Sequence, residues 1–229
     1  MVKVIHRLWL GPAEMPADYK QWGLDWQRLN HEWVVKDWTQ QEIESMPWHN
    51  QTVYDDLGID THPIAAATQR ADVLGYEIMY RYGGLYVNTD IQPVRPLYKL
   101  FEKHDDLFAM PMVSMEDELW VTNGVLWSPR PWKPFWLDII EDLPRNYFDN
   151  PGRMMNEVTG PHLLAKHVAK QEREVLVLDR TYFNPVHYSE VQQGQNAMFD
   201  MDALPANTIG VHHWGHKRNN RPHVSKEHA

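Results

Sequence analysis

The sequence predicts a single α/β domain in which helices cross over a sheet. Three observations carry this. From Val2 to Met46, branched, alternating stretches and helical stretches follow one another in the order strand, helix, strand, helix. A long helix from Ile64 to Tyr82 ends at Gly83-Gly84 and runs straight into a short strand, Leu85 to Val87. The 229 residues, 43% hydrophobic and 23% charged, are enough for one core of ordinary globular composition.

Each element has its own justification. VKVIHRLWLG alternates and is rich in branched residues, so it reads as the first strand, closed by Gly11-Pro12. ADYKQWGLDWQRLN follows as a helix and HEWVVKDW as the second strand. In TQQEIESM, Thr39 and Glu42 have the spacing of a capping box and open a short helix. Within Ile64 to Tyr82, Ala67, Ala71, Leu74, Ile78 and Tyr82 fall on one stripe at helical spacing. The strand after the glycine pair is stopped by Pro93, and DLFAMPM and VTNGVLWS read as further strands. PWKPFWLDIIEDL is a helix begun by proline. TGPHLLAKHVAKQ is another, with Thr159 or Gly160 near the cap and Pro161 in the first turn. EVLVLD reads as a buried strand and TIGVHHW as a late one. The domain is expected to fill residues 1–218, followed by a polar tail over 219–229.

Composition narrows the function. The absence of cysteine excludes disulfides and thiolate metal sites. A formal net charge of -9, with no basic run before Lys217-Arg218, argues against a nucleic-acid partner. An anionic ligand would need a local offset to that charge, for which a bound divalent cation is the simplest means. Eleven tryptophans serve core packing and also suit the stacking of sugars or bases. The opening MVKVIHRLWLGP has no small-residue cleavage site, and no later stretch reaches membrane-spanning length without charge. No transmembrane segment and a cytoplasmic location are therefore expected.

Candidate chemistry gathers where the strand Leu85 to Val87 ends in Asn88-Thr89-Asp90. Sheets of α/β folds present functional groups at the C-terminal ends of their parallel strands. Asn88 and Asp90, two apart on an extended chain, point to one face, and the Asp90 carboxylate suits a hard cation. An isolated Asn-x-Asp is more often a polar turn, so its surroundings decide its meaning. ADVLGYEIMYRYGGLYVNTDIQPVRPL resembles the core of the DXD-containing glycosyltransferases related to family 32. That group includes mannosyl- and galactosyltransferases, capsular polysaccharide sugar transferases and toxin glycosyltransferase domains. The match rests on Ala71-Asp72, Tyr76, Tyr80, Tyr82, Gly83, Gly84, Tyr86 and Asp90. KVIHRLWLG, TNGVLWSPRPWKPFW, VTGPHLL and VHHWGH resemble other parts of the family in the same order.

The resemblance implies a GT-A-type nucleotide-diphospho-sugar transferase fold, a single Rossmann-like mixed-sheet sandwich. It implies metal-dependent, retaining transfer of a sugar from a nucleotide-sugar donor (a UDP- or GDP-sugar) to a glycan, small-molecule or protein hydroxyl, aided by Mn²⁺ or Mg²⁺. Polysaccharide biosynthesis is among the expected settings. Carried over residue by residue, it makes Asp90 the metal ligand and, with Asp72, the catalytic pair. Asn88 stands where the family has its first Asp; its neutral amide is a weaker ligand or a ribose partner, which lowers the expected metal affinity. Asp72 accepts hydrogen bonds from ribose or sugar hydroxyls, or else is a solvated helix acid. Gly75 replaces an arginine common in the family, at a helix cost of about 1 kcal/mol. It either opens space for a different donor or acceptor or marks a lost contact. Trp9 stacks on the donor base or packs in the core, and Asn123 binds the donor sugar or β-phosphate or is a polar residue at a strand end. His212 and His213 alternate faces, so only one points into the site, to complete the metal shell or touch the phosphates; otherwise they are ordinary polar strand residues. Where relatives carry Ser-Trp after this histidine the chain has His216-Lys217, a departure that makes Lys217 and Arg218 candidates to clamp the diphosphate, and His6 is structural or lies just behind the site. The acidic run from Glu116 to Glu118 reads as a solvated loop, and no double-displacement nucleophile is visible. The departures at Asn88 and Gly75 leave open a degenerate member that binds a nucleotide sugar with little turnover. A metal-dependent hydrolase lacks its histidine motif.

Overall fold

The structure is a computed structural model in which residues 1–10, 13–57, 63–101, 108–115, 118–170, 175–186 and 200–215 are described. β1 (Val4–Leu8), α1 (Ala17–Leu29), β2 (Val34–Trp38) and α2 (Gln40–Glu44) follow in the expected order. The capping box forms: the Thr39 hydroxyl accepts from the Glu42 backbone N–H at 3.2 Å, and the Glu42 carboxylate accepts from the Thr39 N–H at 2.9 Å. α3 (Gln51–Asp56) was not anticipated, because six residues are too few to show a helical period. A distant group fixes its start. The buried Glu77 carboxylate accepts from the backbone N–H groups of His49 (2.7 Å) and Asn50 (2.8 Å).

α4 (Pro63–Tyr82) and β3 (Gly84–Val87) match the predicted helix–glycine–strand unit. β4 (Ile91–Pro93) and α5 (Tyr98–Phe101) follow, then β5 (Phe108–Met115), β6 (Glu118–Val121) and β7 (Val125–Ser128). VTNGVLWS is therefore two strands rather than one. The chain turns between them, where the Thr122 hydroxyl accepts from the Gly124 N–H at 3.1 Å. α6 (Pro134–Phe148) begins at proline, α7 (Met155–Val158) is a single turn, and α8 (Pro161–Val168) starts from Gly160 at its cap. β8 (Val175–Leu178) and β9 (Gly210–His212) complete the described elements. The acidic loop at residues 116–117 and the tail after residue 215 lie outside the described residues.

The principal sheet has the order β2-β1-β3-β7. β1 runs parallel to both β2 and β3, and β7 is antiparallel to β3, so the sheet is mixed. β4 pairs with β9, and β6-β5-β8 form a third group. β8 is an edge strand, and only Leu178 in it is buried, contrary to the expectation of a fully buried strand. β3 shows how the sheet divides the core. Leu85 and Val87 pack with Ile5, Trp26, Trp127 and Phe183, while Tyr86 faces the other way into a cluster with Val73, Leu74, Trp136 and Ile139. α4 lies between the sheet and α6 and is buried on all sides from Val73 to Met79. The single apolar stripe read from the sequence described only part of it. Wholly buried Trp26, Trp127 and Trp136 assign part of the tryptophan excess to packing. Among the described residues no helix is long and apolar enough to cross a membrane.

The glycine pair between α4 and β3 is required by the backbone. Gly83 and Gly84 have φ of +62° and +87°, and a Cβ at position 84 would lie 2.6 Å from the Val4 carbonyl oxygen of β1. Gly75 has no such constraint, since a Cβ there would meet Leu126 and the Tyr86 ring at 3.6–3.7 Å, ordinary contact. Gly84→Ala is expected to destabilise the domain by about 2 kcal/mol or more. Gly75→Ala should be neutral or add about 0.5–1 kcal/mol. Urea unfolding of both variants measures the contrast.

Candidate active site

The site is made by a short antiparallel pairing. Asn88-Thr89-Asp90 leaves β3 in a tight turn, in which the Asn88 carbonyl accepts from the Ile91 N–H at 3.1 Å. β4 then pairs with β9 in a register that sets Ile91 opposite His212. Residues 210–215 are thereby carried to the end of β3. The Asp90 carbonyl accepts from the His213 N–H at 3.0 Å, and its Oδ2 accepts from the Gly215 N–H at 2.7 Å. Oδ1 lies 3.1 Å from Nε2 of His212. Trp214 adopts φ +52°, a left-handed conformation unusual for a bulky residue, at the turn that presents the Gly215 N–H to Asp90. Its ring stacks on His212 with centroids 4.0 Å apart.

Of the two histidines, His212 therefore faces Asp90. His213 points away, with Nε2 2.8 Å from Gln92 Oε1 and its ring stacked on Trp22 at 4.5 Å. His212 Nδ1 meets Asn184 Oδ1 at 3.2 Å. Asn88 donates its N–H to the Gly124 carbonyl at 2.8 Å, and its side chain lies over Gly124, where an added Cβ would come within 3.0 Å of the amide nitrogen. Asn88 thus adjoins the turn that carries Asn123.

Asp72 and Asn123, each expected to meet the donor, are bonded to each other. Asn123 Nδ2 donates to Asp72 Oδ1 at 2.6 Å, and the Thr159 hydroxyl donates to Oδ2 at 3.0 Å. Burial outweighs these two bonds and pushes the Asp72 carboxyl up to about 7. Tyr76 donates its hydroxyl to the Thr159 carbonyl at 3.0 Å. The buried Tyr86 phenol is pushed up by burial and then by the charges of Asp72 and Asp90, so it senses both acids. An acid balanced near neutrality, with its acceptors already aligned, can take hydrogen bonds from hydroxyls or hold a proton.

Trp9 lines a cleft of about 710 Å³ shared with Asp37, Trp38, Tyr54 and Arg70. Its Nε1 donates to the Ala13 carbonyl at 2.8 Å, and its ring meets Tyr19 edge-on at 6.0 Å. Tyr19 in turn lies against Gly215, where any Cβ would collide with its hydroxyl. The cleft wall is thus continuous with the backbone that holds Asp90. His6 is held neutral. Burial lowers it to about 4; Trp38 Nε1 donates to its Nδ1 at 3.3 Å, which leaves Nε2–H to donate to the Gly83 carbonyl at 2.9 Å. Gly75 faces Tyr86 and Leu126. Lys217 and Arg218 lie outside the described residues.

Among the described residues no three His, Asp or Glu side chains converge as a metal cluster. The nearest approach to such a set is the Asp90–His212 pair. Sequence reasoning did not single out Tyr19, Asn184, Trp214 or Gly215. Only the VHHWGH stretch signalled the last two, and Asn184 gave no signal.

Residues 16–109 match the family described as "Glycosyltransferase sugar-binding region containing DXD motif". Over 171 residues the chain is 27% identical to inositol phosphoceramide mannosyltransferase 3 of Schizosaccharomyces pombe, covering 71% of this chain and 43% of that protein. The chain thus spans less than half the length of this curated relative. Among solved structures, PaToxG glycosyltransferase gives a TM-score of 0.57 at 13% identity, covering 74% of this chain and 69% of the other. A glycosyltransferase involved in glycosylation of the major capsid of PBCV-1 gives 0.51 at 9%, covering 93% of each. Mouse xyloside xylosyltransferase 1 gives 0.51 at 11%, covering 92% and 96%. At these identities the structures speak for the fold, and it is the GT-A type expected from the sequence.

The raised carboxyl of Asp72 has a consequence for stability. Between its ordinary value of 3.8 and about 7, the folded protein holds a proton that the unfolded chain releases, so this group's contribution falls as pH rises through that window. Asp72→Asn removes that loss. The variant should gain stability relative to the parent between pH 5 and pH 8, by on the order of a few kcal/mol at most. Thermal unfolding at the two pH values measures the difference.

Proposed function

We propose that this chain, which carries a DXD-type glycosyltransferase domain, transfers a sugar from a nucleotide-sugar donor to an acceptor hydroxyl with the help of a divalent cation. The observation that carries this reading is the 3.1 Å separation of Asp90 Oδ1 and His212 Nε2 at the end of β3. Bonds of about 2.1 Å at right angles place neighbouring ligands on one octahedral ion about 3 Å apart. A carboxylate and an imidazole therefore fit two adjacent positions, with the Asn88 amide as a neutral third candidate and donor phosphates to complete the set. When bound, Mn²⁺ or Mg²⁺ supplies positive charge against the departing nucleoside diphosphate.

The chain's own groups do the rest. The Gly215 N–H and the His213 N–H fix the Asp90 carboxylate and carbonyl, so the ligand oxygens are pre-set. The cleft beside Trp9 offers an aromatic wall to the base of a UDP- or GDP-sugar. Asp72, aligned by Asn123 and Thr159, accepts hydrogen bonds from donor hydroxyls. Retention of the anomeric configuration and a glycan, small-molecule or protein acceptor follow from the family resemblance.

Thermal shift with UDP, GDP and their sugars, each with and without Mn²⁺, tests the reading. A donor at a hundred times its Kd should add about 2.7 kcal/mol, and the gain should need the metal. Asp90→Asn should remove the metal-linked part and lower nucleotide release by about 100-fold or more. A metal-linked gain that survives in Asp90→Asn refutes the site. Metal-linked binding without nucleotide release across the panel favours the degenerate reading.

A further inference from the structure

We infer that Asn184 is a positioning residue that supports either ring tautomer of His212, meeting Nδ1 with its amide oxygen when Nε2 holds a cation and with its amide nitrogen when it does not; this rests on the metal reading above. Asn184 is 2% exposed and follows the turn Arg180–Tyr182. Its own N–H donates to the Arg180 carbonyl at 2.6 Å, and the carbonyl of its neighbour Phe183 accepts from the His212 N–H at 3.0 Å. The backbone therefore locks residue 184 beside β9, with its side chain against the imidazole.

With Asn184 Oδ1 at 3.2 Å, the proton of a neutral His212 ring sits on Nδ1 and is donated to that oxygen. Nε2 then turns a lone pair toward Asp90 Oδ1 at 3.1 Å. Two acceptors at that distance repel unless a cation or a second ring proton lies between them, and the Nδ1–H tautomer is the one that a metal at Nε2 requires. The amide nitrogen gives a second clue. Asn184 Nδ2 is buried and has no hydrogen-bond partner among the described residues. If the amide is rotated by a half turn, that nitrogen donates to Nδ1 and leaves Nε2–H to donate to Asp90. Asn184 can thus serve the metal-bound pair with its oxygen and the metal-free pair with its nitrogen. Neither a carboxylate nor an apolar side chain can do both.

The full chain with Mn²⁺, alone and with UDP or GDP, tests this through the loss of the free-ion electron paramagnetic resonance signal. Asn184→Ala should weaken Mn²⁺ binding about 10–100-fold, while Asn184→Asp, which keeps an acceptor at Nδ1, should retain it. Nitrogen-15 spectra of the histidine rings separate this from added negative charge. With Mg²⁺ and nucleotide, the parent and Asn184→Asp should show His212 protonated at Nδ1. Without metal, the parent should show Nε2 protonated and Nδ1 bare, whereas Asn184→Asp, with a carboxylate at each nitrogen, should keep Nδ1 protonated as well. Parental Mn²⁺ affinity in Asn184→Ala, an Asn184→Asp as weak as Asn184→Ala, or a parent ring protonated at Nε2 with Mg²⁺ bound overturns the proposal. A parent that takes up no Mn²⁺ with either nucleotide overturns the metal reading, and this one with it.

Discussion

The pairing of β4 with β9 is the constraint on which the site depends. Each strand is only three residues long, yet their register decides what stands next to Asp90. A slip of one residue would exchange His212 for His213 or Val211, because side chains alternate along a strand. Two further bonds hold the register beyond the ladder: the His213 N–H to the Asp90 carbonyl, and the Gly215 N–H to its carboxylate. The left-handed turn at Trp214 makes the second bond possible. Backbone donors thus join residue 90 to a segment more than a hundred residues away, and they do so before any ligand arrives.

A similar economy organises the rim of the cleft. Arg7 of β1 is almost wholly buried, donates to the Tyr19 carbonyl at 2.6 Å and lies 3.3 Å from the Asp37 carboxylate. Its guanidinium occupies the space where a side chain on Gly23 would stand. One cation therefore ties β1, β2 and α1 together beside Trp9, which lines the cleft and meets Tyr19 edge-on. Because α1 is fixed there, Tyr19 is also fixed against Gly215. The cleft and the Asp90 backbone are thus parts of one packed unit rather than two adjacent features.

The sequence made some of this legible and hid the rest for physical reasons. The α4–glycine–β3 unit announced itself because helical period, paired glycines and a branched strand all agree locally. The capping box at Thr39 was legible for the same reason. α3 was not, because the residues leading into it are held by Glu77, a partner far along the chain. The Asp72–Asn123–Thr159 cluster joins residues 51 and 87 positions apart. The family resemblance pointed to Asp72 and Asn123 as separate donor contacts, and only the fold shows that they bond to each other. Asn184 sits in FNP, a stretch with no motif, and its meaning comes entirely from the ring it touches.

The two acids of the site are treated in opposite ways, and the difference bears on how such a domain divides stability from function. Asp90 has a backbone N–H at one oxygen and the Nε2 of His212 3.1 Å from the other. Asp72 has two donors, yet burial still outweighs them and its carboxyl moves toward neutrality. A residue selected only for folding would be apolar or amide there, since a buried acid opposes the folded state wherever it must ionise. It stands near Tyr76 and Tyr86, just before the fully buried run of α4 from Val73 to Met79, and is itself only partly exposed. A hydroxyl-bearing ligand at that carboxylate would supply hydrogen bonds that favour its charged form. A carboxyl that folding alone disfavours would thus gain from any ligand able to make those bonds, and nothing from one that cannot.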